Sequence, residues 1–330
     1  MDEKIAFLLD RATQKMIFNQ KALNYFSSIG KISINEGGLK KDNIKKVIKN
    51  ATIAVTSWGN SPLDADILSE CPDLKFVAHA AGSIKPIVSD ELWAKNIRVL
   101  SSACPLGEGV AETALGFTIS ASKNFYNLNT NVKIGGWIEG KEDIRELFDL
   151  KIGVIGAGWA GKHYIKLLQN FCVDVLLYDP FVSDSEAKEL GAKKCSFKQL
   201  LKQSDIVSIH VPSIPSTYHM INSEALSLMK RDAVLINTAR GTIVDELALY
   251  VHMVEGGLKY ACLDVFDPEP PKPSNRLFSL ANVITTPHLA GLTSNGLRRI
   301  GAFICEETAH FLENKPVKGE VTAEMLSKMA

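Results

Sequence analysis

The sequence predicts an α/β protein of two doubly wound units, the second inserted into the first. Three observations lead there. The chain has 330 residues, about two average domains. Short apolar runs alternate with helix-spaced segments in two separate series, before residue 105 and again from Lys151. That alternation is the pattern of parallel strands covered by helices. A second joint near residue 292 is followed by one more helical segment, so the chain leaves the first unit, builds the second and returns. The expected division is 1–104 with 295–330 for the outer unit and 105–294 for the inserted one.

The elements follow in order. Lys4–Leu9, Thr52–Thr56, Leu74–His79 and Arg98–Ser101 read as short buried strands, with helical spacing between them, as at Leu63–Cys71. Ala111–Leu128 reads as a long helix, apolar beyond one face. A stretch with Gly135-Gly136-Trp137 inside it runs from Ile134 to Asp149. Ile152–Ile155, Val173–Tyr178, Ile206–His210, Val234–Asn237, Tyr260–Val265 and Val283–Thr286 are the strands of the second series. A proline-rich loop, Pro268–Pro273, interrupts late, and a last helix is expected from Thr293 to Asn314.

Composition narrows the function. Hydrophobic residues are 46% and charged residues 22%, ordinary values for a chain that folds on a core of its own. Lys+Arg and Asp+Glu are 37 each, so there is no net charge to draw nucleic acid or an anionic membrane. No apolar run reaches the roughly 18 residues of a membrane span, and the start lacks a signal-peptide pattern. The six cysteines, with no close pair, signal neither a zinc site nor a redox motif and read as buried thiols. A cytoplasmic protein with no nucleic-acid, membrane or metal partner is expected.

The strand Ile152–Ile155 runs into Gly156-Ala157-Gly158-Trp159-Ala160-Gly161, and Lys162–Leu168 continues with helical spacing. In strand, G-x-G-x-x-G, helix, Gly156 makes the tight turn. Gly158 lets the backbone approach a pyrophosphate, and Gly161 lets helix and strand pack closely. The pyrophosphate would sit on free N–H groups at the helix start. The next strand ends in Asp179, eighteen residues after Gly161. A carboxylate there accepts from ribose hydroxyls and repels a 2′-phosphate, so NAD is favoured over NADP. About 150 residues precede the turn, so a substrate unit comes first.

Three further blocks lie just past candidate strands: Leu235-Ile236-Asn237-Thr238-Ala239-Arg240-Gly241 with Ile243-Val244-Asp245-Glu246, Asp264-Val265-Phe266-Asp267-Pro268-Glu269-Pro270, and Thr286-Pro287-His288-Leu289-Ala290-Gly291. With the glycine turn, their order and spacing resemble the D-isomer-specific 2-hydroxyacid dehydrogenase family over most of the chain. The resemblance implies two Rossmann-like or flavodoxin-like domains, the NAD-binding one inserted into a discontinuous substrate domain. It implies a homodimer too, with the Ala111–Leu128 helix and the Trp137 region in the contact. It also implies that Asp264 bonds the nicotinamide carboxamide. His210-Val211-Pro212 and Thr217 would line the cofactor, Thr238 and Ala239 would touch its nicotinamide side, and Trp159, Ala160 and Gly291 would complete the site.

The residue types suit hydride transfer to a 2-keto acid. The developing alkoxide needs a proton, and the substrate carboxylate needs a fixed partner. Arg240 supplies an always-charged fork for the substrate. His288 supplies an exchangeable proton, and Glu269 would orient the ring and favour its charged form. His210 is not expected to carry a proton. Among the other histidines only His79 is a candidate for a role.

The first unit departs from the family. Where relatives carry a glycine-rich loop with Asp and Asn, this chain has Ala80-Ala81-Gly82-Ser83-Ile84-Lys85-Pro86-Ile87. The Ala81 and Gly82 N–H groups can still hold a substrate carboxylate, a contact that needs no side chain. Trp58 reads equally as pocket wall or core, and Lys85 as a second anion contact or a solvated lysine. Trp159 and Ala160 replace an Arg-Ile pair common in relatives. The expected activity is an NAD-dependent dehydrogenase for a small 2-hydroxy or 2-keto acid held between the two units. The alternatives are a phosphite or sugar-acid dehydrogenase of the same architecture, or a NAD-sensing corepressor or scaffold.

Overall fold

A computed structural model describes residues 3–329. It divides into two compact units, 1–106 with 292–330, and 107–291. Thirteen strands lie among the described residues. They are β1 (Glu3–Phe7), β2 (Gly30–Ile34), β3 (Ile53–Thr56), β4 (Phe76–His79), β5 (Arg98–Ser101), β6 (Lys151–Ile155), β7 (Asp174–Tyr178), β8 (Lys193–Lys194), β9 (Ile206–Ile209), β10 (Val234–Asn237), β11 (Tyr260–Leu263), β12 (Val283–Thr285) and β13 (Glu320–Val321).

The first unit holds the sheet β13-β5-β4-β3-β1-β2, parallel except for the antiparallel edge pair β13–β5. Its order from β2 is the flavodoxin-like one, with the chain reversing direction across the sheet between β1 and β3. β3 and β4 are buried along their whole length, as strands covered on both faces must be. Phe7 of β1 meets Phe18 and Phe26 edge-on, with ring centroids 5.1 Å away in both pairs. Phe26 is fully buried, and cutting it to Ala removes roughly 3–5 kcal/mol of stability. The helix Gly296–Leu312 returns to this unit, burying Leu297, Ile300 and Ile304 in the same core.

The second unit holds the all-parallel sheet β12-β11-β10-β9-β6-β7-β8, a Rossmann order with its switch point between β6 and β9. Two apolar clusters cover its faces, one around Leu235 and Leu263, the other around Val154, Tyr164 and Ile236.

The long helix differs from its expected form. It runs Ala103–Ser122 and a second helix, Phe125–Lys133, follows. Asn124 between them is left-handed, φ +57°. Tyr260 donates to its Oδ1 at 2.7 Å, and its Nδ2 donates to Gly140. A contact remote in sequence fixes that break. The short strands β8 and β13 and the half-exposed edge strand β2 carry too little apolar pattern to be read from sequence. Cys172 is exposed, not buried, because it sits in the turn entering β7. No helix among the described residues is long and apolar enough to cross a membrane.

Candidate active site

Strand register arranges the second unit's motifs in one row. Ile155 pairs with Tyr178 and with Ile209, Ile209 with Asn237, Asn237 with Leu263, and Leu263 with Thr285. The next residues are therefore Asp179, Gly156, His210, Thr238, Asp264 and Thr286, one past each of six neighbouring strands. Carboxyl ends of parallel strands at a switch point are where such sheets bind ligands.

The glycine turn has the shape its sequence requires. Gly156 is left-handed, φ +93°, and a Cβ there would press on His210 and Val211. A Cβ on Gly161 would collide with the Gly156 carbonyl oxygen, so helix Trp159–Leu168 lies directly on the turn. A Cβ on Gly158 would meet nothing within 4 Å. Gly158 is the N-cap of a ten-residue helix and, with no side chain of its own, leaves the approach to the helix start open on its side. Trp159 is half-exposed there, and the Ala160 amide is backed by Gly107. Asp179 accepts from Ala157 N and Phe181 N, both at 2.8 Å, which aims its carboxylate at the turn.

The neighbouring loops leave polar atoms unpaired. His210 contacts Ser208 Oγ through Nε2 at 2.9 Å, and its buried Nδ1 has no partner among the described residues. Burial pushes its pKa down to about 3, so the ring is neutral. Thr238 Oγ1 is likewise buried and unpartnered. Two such atoms beside the turn fit a ligand rich in hydroxyl and amide groups, as a dinucleotide is. Val211 and Pro212 are half-buried. Thr217 turns its hydroxyl inward, donating to Pro212 O at 2.6 Å, so it shapes this loop from behind.

Arg240 is held by its own segment. Asn237 Nδ2 donates to Arg240 O at 2.9 Å and Asn237 Oδ1 accepts from Ala239 N. Arg240 Nη1 donates to Ala239 O at 2.7 Å. Burial lowers the guanidinium's pKa, and the charge of Glu269 opposes that. It remains cationic, as arginine does in proteins. Gly241 has no room for a Cβ against the Phe266 carbonyl, which draws this segment onto the next loop.

In that loop Glu269 uses both oxygens. Oε1 accepts from Phe266 N at 3.0 Å and Oε2 meets His288 Nδ1 at 2.6 Å. His288 is left-handed, φ +52°, and its N–H donates to Asp264 O at 2.8 Å. The Asp264 carboxylate is fully buried and accepts from Thr286 Oγ1 at 2.5 Å, Leu289 N at 3.0 Å and Ala290 N at 2.9 Å. These bonds clasp the His288 loop from both sides. Gly291 ends that loop, and Thr113 donates to Ala290 O. Sequence reasoning gave no role to Glu246, which accepts from Asp267 N at 2.9 Å and Asn275 Nδ2 at 2.7 Å and so braces the Glu269 loop. Its one signal was its place at the end of the Arg240 block. A pocket of about 370 Å³ opens beside Glu269 and His288, walled by Phe266, Pro270, Phe278 and Pro287.

Trp58, Ala81 and Gly82 belong to the first unit, past the ends of neighbouring strands β3 and β4. Trp58 is half-buried against the core that contains Phe7 and Phe26. Ala81 is buried, and a Cβ on Gly82 would crowd Leu106. His79 meets Thr56 Oγ1 at 2.9 Å and bonds the Ser83 backbone. Burial pushes its pKa down to about 4.

Comparison with known proteins places this arrangement. Residues 115–290 match the D-isomer specific 2-hydroxyacid dehydrogenase NAD binding domain. The chain is 30% identical over 310 residues to D-3-phosphoglycerate dehydrogenase of Methanocaldococcus jannaschii, covering 94% of this chain but 58% of that protein. It is 31% identical over 301 residues to hydroxypyruvate reductase of Thermotoga maritima, covering 91% of this chain and 94% of that one. The crystal structure of the PH0520 protein from Pyrococcus horikoshii is similar with a TM-score of 0.81 and 26% identity, over 99% of this chain and 97% of that one. The chain thus belongs to the D-isomer specific 2-hydroxyacid dehydrogenase family, and its second unit is that family's NAD binding domain.

Proposed function

We propose that the protein is an NAD-dependent oxidoreductase for a small 2-hydroxy or 2-keto acid. The observation that carries this reading is the 2.6 Å His288–Glu269 pair, whose carboxylate also acts on the buried Arg240. NAD(H) supplies or accepts the hydride when bound on the glycine turn. The turn, Asp179, the His210-Val211-Pro212 loop, Thr238, Ala239 and Gly291 hold it. Arg240 binds the substrate and polarises its carbonyl oxygen. His288 gives its Nε2 proton to the oxygen at C2 as the alkoxide forms, and takes it back in the oxidative direction. Glu269 orients the ring through Nδ1 and balances the imidazolium charge. The Ala81 and Gly82 N–H groups take the substrate carboxylate, and Trp58 borders it.

The relatives named above suggest a short polar substrate such as hydroxypyruvate or 3-phosphoglycerate. NADH oxidation against keto acids from glyoxylate through hydroxypyruvate to branched and aromatic ones tests the reading, with NADPH in parallel. Turnover with NADH on one class is expected. Tight NADH binding with no turnover on any of these acids would refute this reading and favour a phosphite or sugar-acid substrate or the sensing alternative.

A homodimer is part of the same reading. Ile134 and Trp137 are each 79% exposed, and Phe125, Val132, Ile138 and Phe148 are also exposed within residues 125–148. So many large apolar side chains left in solvent by one stretch of chain support a contact face there. We place the protein in the cytoplasm, where its cofactor is found and its free cysteines stay reduced.

A further inference from the structure

Where β4 runs into its loop, the carbonyls from His79 to Gly82 are each tied to a serine. Ser102 takes His79 O through both its hydroxyl, 2.8 Å, and its N–H, 3.2 Å. Ser57 donates to Ala80 O at 3.0 Å. The Ser102 N–H also reaches Ala81 O at 3.0 Å. Ser101 donates to Gly82 O at 2.6 Å. Thus three serines from the ends of β3 and β5, all buried, hold four successive carbonyls of the strand end between them. In a trans peptide the next N–H points opposite to the carbonyl. Each captured carbonyl therefore turns one N–H the other way, and the Ala81 and Gly82 N–H groups have no protein partner among the described residues. Ala81 is 1% exposed, and a buried unpaired N–H is costly unless a ligand satisfies it. The loop has no acidic side chain from Ala80 to Ile87 to repel an anion.

We propose that Ser57, Ser101 and Ser102 are positioning residues that preset this backbone to receive a carboxylate. The inference rests on the substrate reading of Ala81 and Gly82. It adds that affinity and specificity at this subsite are set by hydroxyls that never touch the substrate. A preset donor pair costs no reorganisation when the anion arrives, so loosening it weakens binding before it slows chemistry.

The test uses the whole chain with Ser57→Ala, Ser101→Ala and the double variant, because the Ser102 N–H that holds Ala81 O survives any change of its side chain. For the double variant KM for the keto acid should rise about tenfold, with kcat within about twofold and the NADH Kd unchanged. Ser57→Thr, which keeps the hydroxyl on Ala80 O, should leave KM near that of the unsubstituted protein. Unchanged KM in the double variant overturns the proposal, and so does a joint loss of kcat and NADH binding. A second measurement needs no turnover. With ¹⁵N-labelled Ala and Gly, oxamate should shift the Ala81 and Gly82 amide resonances in the unsubstituted protein and less in the double variant. Equal shifts in both would sink the serine proposal and leave the subsite intact. No shift in the unsubstituted protein would remove the subsite and the proposal with it.

Discussion

Glu269 has two carboxylate oxygens and both are committed, one to Phe266 N and one to His288 Nδ1. Only His288 Nε2 is then left to face a substrate. Replacing His288 or Arg240 by Ala should each cut kcat/KM by about 10²–10⁴-fold, the range of a lost proton donor or charge clamp. The NADH Kd, read by fluorescence titration, should change little. Normal turnover in either variant would discard the mechanism. The buried His79 and His210 make a separate prediction about stability. Their folded pKa values, about 4 and about 3, lie below the 6.5 of a free imidazole. Each ring therefore binds a proton more readily when unfolded, and stability rises with pH across that window. It is full above pH 6.5 and is lost as pH falls toward 4. Urea unfolding at pH 7 and pH 5 should show a lower midpoint at pH 5. His79→Asn should flatten the dependence, and an equal slope in that variant would assign the effect elsewhere.

At the scale of elements, the glycine turn and the His288 loop show two ways of holding a site. The turn is steric: helix Trp159–Leu168 can approach because Gly161 has no Cβ to meet the Gly156 carbonyl. Gly161→Ala should cost about 1–3 kcal/mol through that collision. It should also weaken NADH binding more than tenfold, which calorimetry and thermal melting would separate. Native affinity in this variant would mean the helix can shift without disturbing the turn. The His288 loop is held by hydrogen bonds instead, with the Asp264 carboxylate gathering Thr286, Leu289 and Ala290. An aspartate so engaged is first a scaffold for His288, whatever it offers the nicotinamide.

At the scale of the whole molecule, the chain interrupts one α/β unit to build another and then returns. The exposed apolar surface along residues 125–148 belongs to the inserted unit. Light scattering should give twice the 36.1 kDa of one chain. Changing Ile134 and Trp137 together to Asp and Glu should halve that mass, because charge on an apolar contact is left without a partner. A single-chain mass in the unsubstituted protein would refute the dimer and leave that surface unexplained.

How much of this was legible in the sequence follows from the range of each interaction. Strand, glycine turn and helix are consecutive in the chain, so Gly156, Gly158 and Gly161 could be assigned from their order and from what a Cβ would obstruct. The same holds for the position of Arg240, Glu269 and His288 just past apolar strands, because parallel strands put their following residues on one edge. The pairing of His288 with Glu269 was an expectation from residue type, and the fold supplied the 2.6 Å. The serines could not be read at all. Ser57, Ser101 and Ser102 are ordinary polar residues in sequence, and they gain meaning only because β3, β4 and β5 lie side by side. Glu246 and the break at Asn124 are of the same kind. Local sterics and strand period act between chain neighbours and are written in their order. Hydrogen bonds between loops depend on which strands are adjacent, and only the folded sheet decides that.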